Sequence, residues 1–117
     1  MFRNTADCEA DSKRFITRCL ASELVWHLTS GSQVAYCESN GSDASEDERV
    51  VLLFFSDEAY AKRAGNGHFP DYTAQSIDLF DFLYRWLPGM TTDGVLAGPN
   101  WSGDLVGLEF EPYHLNS

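Results

Sequence analysis

Positive charge is the scarcest ingredient of this chain. Eight Lys and Arg residues stand against eighteen Asp and Glu, a net charge of −10. Nowhere do basic residues gather into a patch. Non-specific affinity for nucleic acid comes mainly from Lys and Arg displacing counterions from phosphates, so DNA and RNA are poor candidates as partners. Cysteine is scarce too. Cys8, Cys19 and Cys37 form an odd set with no CxxC pair, which offers neither a disulfide framework nor a zinc site. No apolar run approaches the ~20 residues of a membrane-spanning helix. The opening residues, MFRNTADCEADSKRF, lack the apolar stretch of a signal peptide. These absences predict a reduced, cytoplasmic protein that does not span a membrane.

Catalytic signatures are also missing. There is no GxSxG elbow, P-loop, GxGxxG, HExxH or EF-hand loop. His27, His68 and His114 are scattered without local ligand spacing, so no metal site is expected. Asp78 and Asp81 share one first helical turn, where the helix dipole explains them better than acid–base work. No catalytic, cofactor-binding or metal-binding residue is assigned.

Aromatic and aliphatic residues are plentiful. Eight Phe, five Tyr and three Trp sit in a chain of 117 residues that is 44% hydrophobic. Such a chain supports one domain and buries roughly two-thirds of its extended surface.

The pattern along the chain predicts an α+β fold: one single-layer, mixed but mainly antiparallel sheet with about three helices packed on it. Residues Thr5 to Glu23 read as a first helix behind a frayed terminus, residues 1–5. Its apolar stripe is Phe15, Ile16, Cys19 and Leu20. Leu24 to Leu28 and Gln33 to Cys37 read as a hairpin around Thr29-Ser-Gly-Ser32. Alternation places Leu24, Trp26 and Leu28 on one face. Val25 and His27 fall on the other, taken as the less buried. Residues 39–48, preceded by Glu38, form a polar stretch expected to be a mobile acidic loop. Val50 to Phe55 is an unbroken apolar run, as in a strand buried on both faces.

Ser56 is expected to cap a short helix that Gly65-Asn-Gly67 ends, followed by the loop His68 to Tyr72 and an edge strand, Thr73 to Ile77. The next helix is the clearest. Asp78 is its N-cap, Ile77 and Phe82 are spaced as a hydrophobic staple, and Leu79, Phe82, Leu83, Trp86 and Leu87 form the buried stripe. Pro88 and Gly89 are expected to stop it. Val95 to Ala97 and Leu105 to Phe110 read as short strands, and 113–117 as a tail.

Three places could bind something. Asn100 and Trp101, at a strand end, could form a cleft with a ring and a polar handle; equally, Trp101 could cover the core edge while Asn100 satisfies turn amides. His68 and Tyr72 sit in a loop that could touch a ligand or plug the space beside the sheet. Asp43, Glu46, Asp47 and Glu48 could attract a basic partner or only solvate their loop.

Three elements carry a family resemblance. One is the apolar strand followed by Ser56-Asp-Glu-Ala-Tyr-Ala61. Another is the run from Ile77 to Gly89. The third joins Asp93-Gly94-Val95 to Asn100-Trp101 and then to Leu105 through Pro112. Together they resemble the bacterial family of domain of unknown function 2750, over roughly Leu24 to Leu115. A weaker similarity of organisation points to the serine-sensitivity-enhancing SseB family. The main resemblance implies a small α+β domain with no assigned activity and no catalytic residues to carry over. The chain departs from the family at Leu53, Phe54 and Phe55, where a Pro and a Trp are usual. It departs again at Pro99, where an aliphatic residue is usual.

The expected function is a non-enzymatic protein-interaction module, for example an inhibitor- or immunity-type protein directed at a basic partner. The alternative is a small hydrolase or ligand-binding protein using the Asn100–Trp101 end, with His68 or His27 as base. A homodimer through a sheet edge or aromatic surface stays open.

Overall fold

The structure, a computed structural model, describes residues 5–38 and 50–101, with side chains over 10–37 and 50–101. The acidic stretch 39–48, the strand expected at Leu105 to Phe110 and the tail 113–117 lie outside the described residues. The order is helix α1 (Thr5–Ser22), strands β1 (Leu24–Ser30), β2 (Gln33–Val34), β3 (Tyr36–Glu38) and β4 (Val50–Phe54), helix α2 (Glu58–His68) and strand β5 (Thr73–Asp78). A continuous helical stretch follows: α3 (Leu79–Asp81), a π-helical turn (Phe82–Trp86) and α4 (Leu87–Asp93). Strand β6 (Leu96–Pro99) completes the described part.

The class is α+β, as expected. Instead of one sheet, the described residues form two of three strands, ordered β2-β1-β5 and β3-β4-β6. Among the described strands only β4 and β6 pair in parallel. The expected hairpin forks at Ala35. Its N–H donates to the Leu28 carbonyl at 2.9 Å, and its own carbonyl accepts from Leu53 N–H at 3.4 Å. Gln33 and Val34 therefore pair with β1, while Tyr36 to Glu38 pair with β4. A second tie joins Trp26 and Phe55, each donating to the other's carbonyl at 2.7 and 2.8 Å.

Alternation along the strands fills two apolar clusters. Val25, Phe54, Ile77 and Ala97 join Phe15 and Cys19 of α1 and Leu79, Phe82, Leu87 and Met90 of the later helical stretch. Leu28, Val51, Leu53, Phe55 and Leu96 join Ala61 and Ala64 of α2 and Trp101. Phe54 is the hub of the first cluster, edge-on to Phe82 at 4.8 Å and to Trp86 at 5.9 Å. Leu53, Phe54 and Phe55 are all fully buried.

Several local expectations are corrected. The stripe of α1 is half right: Phe15 and Cys19 are buried, but Ile16 is 45% and Leu20 62% exposed. The helix is rotated so that Asp11 and Ser12 join the buried side. His27 does not lie on a less buried face, because its face carries the first cluster. α2 does not stop at Gly65. A Cβ there would sit 3.3 Å from the Leu28 side chain, so glycine allows the helix to lie close on β1 and run on to His68. Ser56 is not the cap. The N-cap is Asp57, whose carboxylate is turned away from the helix amides.

Pro88 does not end the later helix either. In a regular α-helix its ring would meet the carbonyl four residues back. Leu87 N–H instead reaches the carbonyl of Phe82, five residues back, and this wider turn carries the chain past the proline. Gly94, at φ 74°, then caps α4 in the left-handed region. The start of this stretch is as read: Asp78 accepts from Phe80 N–H at 3.0 Å, and Ile77 and Phe82 share one cluster.

Candidate functional site

The polar groups with most potential for chemistry meet where β4 and β6 end. The two strands are parallel, with Phe54 opposite Pro99, so the residues beyond them arrive together. An edge strand tolerates Pro99. Asn100 follows at φ 48°, a left-handed backbone that asparagine accepts more readily than most residues. Its N–H donates to the Phe54 carbonyl at 2.8 Å. Its side-chain oxygen accepts from Ser56 N–H at 2.7 Å, and its amide nitrogen donates to Ser56 Oγ at 3.0 Å. Asn100 and Ser56 are both buried.

Ser56 Oγ donates in turn to Asp57 Oδ1 at 2.6 Å. Arg18 closes the chain from α1: its Nε and one terminal nitrogen reach the two Asp57 oxygens at 2.7 and 2.6 Å. Those hydrogen bonds hold the Asp57 carboxyl below its ordinary range and keep the Arg18 guanidinium charged. A carboxylate so stabilised is a poor general base. A shallow, open depression of about 370 Å³ lies beside the pair, bounded by Arg18, Ala21, Ser22, Ser56 and Asp57. Among the described residues no histidine borders it.

Trp101 is buried in the second cluster. Its indole lies across Gly98, where a Cβ would come within 2.6 Å of Nε1 and 3.0 Å of Val51. Asn100 and Trp101 are thus brought to Ser56 and to the second cluster, respectively. His68 is the exposed last residue of α2. It lies eleven residue steps from Asp57, about 16 Å along the axis, too far to serve Ser56. Tyr72 is half-buried against the second cluster and edge-on to Phe69 at 5.5 Å. Asp43, Glu46, Asp47 and Glu48 lie outside the described residues.

His27 is buried. Its Nδ1 lies 2.9 Å from the Gln75 carbonyl, which requires a proton on that nitrogen, and its ring meets Trp86 edge-on at 5.0 Å. Burial lowers its pKa and outweighs the opposing pull of the carbonyl. Burial likewise pushes the Cys19 thiol up to about 12, so it is no nucleophile at neutral pH. Among the described residues no three His, Cys, Asp or Glu side chains gather as a metal site would need. No described helix is long and apolar enough to cross a membrane.

A different surface is open. Phe80 and Tyr84 stack with centroids 6.3 Å apart and planes 7° from parallel. They are 60% and 66% exposed, the most exposed large aromatics described. Asp78 and Asp81 flank them, and Arg85, 3.6 Å from Asp81, is the nearest cation along the helix. Their spacing of four, off the buried stripe, was the sequence signal for this pair. Arg18 and Asp57, 39 residues apart, left no such signal.

Comparison with curated proteins gave no match, and comparison with solved structures gave none either. The family model described as a protein of unknown function (DUF2750) matches residues 12–117, and the chain belongs to that family.

Proposed function

We propose that this protein is a cytoplasmic interaction module that binds a basic protein partner and carries out no bond-making chemistry of its own. The observation that carries this reading is the solvent-facing Phe80–Tyr84 stack beside Asp78 and Asp81, on a chain of net charge −10. Exposed aromatics supply contact area, and like-signed charge around them selects partners of the opposite sign and speeds their encounter. The polar side chains that might have done chemistry support it differently. Asn100, Ser56, Asp57 and Arg18 are engaged with one another at the end of the strands. Cys19 and Cys37 are free thiols, as suits a reducing compartment.

The test is capture by the immobilised chain from cell extract at low ionic strength, with the recovered proteins identified by mass spectrometry. Basic proteins that elute as salt rises, and that a Phe80→Ala/Tyr84→Ala variant fails to hold, are the expected result. Recovery of nothing at low salt overturns the proposal.

A further inference from the structure

Among the described residues, the outer edge of strand β5 is unpaired. Trp26 uses its N–H and C=O on Phe55. In the antiparallel register, Val25, His27 and Thr29 are therefore the residues that bond to Ile77, Gln75 and Thr73. The main-chain N–H and C=O groups of Ala74 and Ser76 point the other way, and β5 is the last strand of its sheet among the described residues. Thr73, Gln75, Ser76 and Asp78 are exposed.

Proteins usually protect such an edge with Lys, Pro or a bulge. This strand, TAQSID, has neither Lys nor Pro. From Ala64 to Tyr84 there is no Lys or Arg, while Asp71, Asp78 and Asp81 bracket the strand and begin the helix that bears the aromatic pair. Phe80 stands two residues beyond the strand end. The open edge calls for an extended segment, the three carboxylates outnumber Arg85, the cation 3.6 Å from Asp81, and the stacked rings offer faces to a guanidinium.

We infer that β5 receives an extended, arginine-bearing segment of the partner, added as a further strand, with its basic side chains over Asp78, Asp81 and the Phe80–Tyr84 pair. This rests on the interaction reading above and specifies its binding surface and the partner's chemistry. A second copy of this chain is the poorer occupant, since it would set the same aspartates against each other at net charge −10 per copy.

The experiment uses the isotope-labelled full chain and a synthetic peptide of alternating Arg and Val, with Glu replacing Arg in the control. Amide shifts are followed by NMR and affinity by fluorescence anisotropy. The Arg peptide is expected to shift the Ala74 and Ser76 amides most, and the Glu peptide to leave them in place. Phe80→Ala/Tyr84→Ala is expected to weaken binding about tenfold. Ser76→Pro removes an outward donor without touching the bonds to β1, and is expected to weaken it by at least as much. Should Ser76→Pro fail to fold, the amide map of the unmodified chain still decides. Shifts confined to residues 39–48 overturn the edge assignment and leave the interaction reading standing. No binding of the Arg peptide at low salt overturns both. Concentration-dependent dimerisation that Ser76→Pro abolishes makes a second copy the occupant and overturns the basic segment.

Discussion

Two strand edges of this molecule have been finished in opposite ways. β6 is buried along its whole length and ends in Asn100 and Trp101, both hidden from solvent. β5 is exposed at four of its six positions and leads to Phe80 and Tyr84, both open to solvent. Each end carries aspartates and aromatic rings. At the β6 end, however, an asparagine amide, a serine and an arginine satisfy the polar atoms internally, and the indole fits over a glycine. At the β5 end Asp78 and Asp81 are exposed, Asp78 capping Phe80 N–H and Asp81 facing Arg85, and the two exposed rings stack on each other. Two strand ends with similar residue types can therefore differ in how far the fold itself occupies their polar and aromatic groups.

The contrast is sharpest under mutation. Asn100→Ala is expected to cost the most. It leaves the buried Ser56 N–H unpaired and puts a β-carbon residue without a side-chain partner in a left-handed backbone, about 2–4 kcal/mol together. Asn100→Gly loses the same hydrogen bonds but accepts the backbone, so the difference between the two variants in urea unfolding isolates the conformational share. If Asn100→Ala unfolds at the same urea concentration as the parent, Asn100 is free for another role. Gly98→Ala comes next, about 1–3 kcal/mol from crowding the Trp101 indole and Val51, read by the same titration. An unchanged midpoint would mean that Trp101 moves freely.

Acid provides a milder probe. His27 is held neutral in the folded state, with its pKa below the ordinary 6.5. The unfolded chain therefore takes up a proton first as pH falls, and the stability present above 6.5 is progressively lost below it. Asp57, also lowered, acts in a separate window: its contribution is present above 3.8 and is lost in stronger acid. Melting temperature should thus drop between about pH 7 and pH 5 in the parent and less in His27→Gln. Equal slopes would mean that His27 is solvated. The smallest stability effect belongs to Phe80→Ala/Tyr84→Ala, expected within about 0.5 kcal/mol because neither ring supports the core. A large loss of stability there would show that the open face is structural and end the contrast with the β6 edge.

Much of this architecture was legible in the residues. The Asp78 cap, the Ile77–Phe82 staple, the central VVLLFF strand and the edge character of β5 each rest on local chemistry, which a single sequence displays. What escaped depends on long-range partners. Ser56 and Asp57 are both sound cap residues. What turned Asp57 away from the helix amides was Arg18, 39 positions earlier. Ile16 and Cys19 look equivalent on a helical wheel, and only the fitting of α1 onto β1 and β6 leaves one exposed and the other buried. Gly65 reads as a stop until Leu28 is seen beneath it. Pro88 reads as a break until the preceding turn is seen to widen. His27 reads as half-exposed until Trp86 covers it.

The fork at Ala35 also constrains how the molecule can come apart. One residue serves two sheets, its N–H donating to the Leu28 carbonyl and its carbonyl accepting from Leu53 N–H. A slip in the pairing of either sheet must tear the other. The halves are coupled at this fork and again at the Trp26–Phe55 bridge, so loosening should spread through both together and partial melting should be hard to trap.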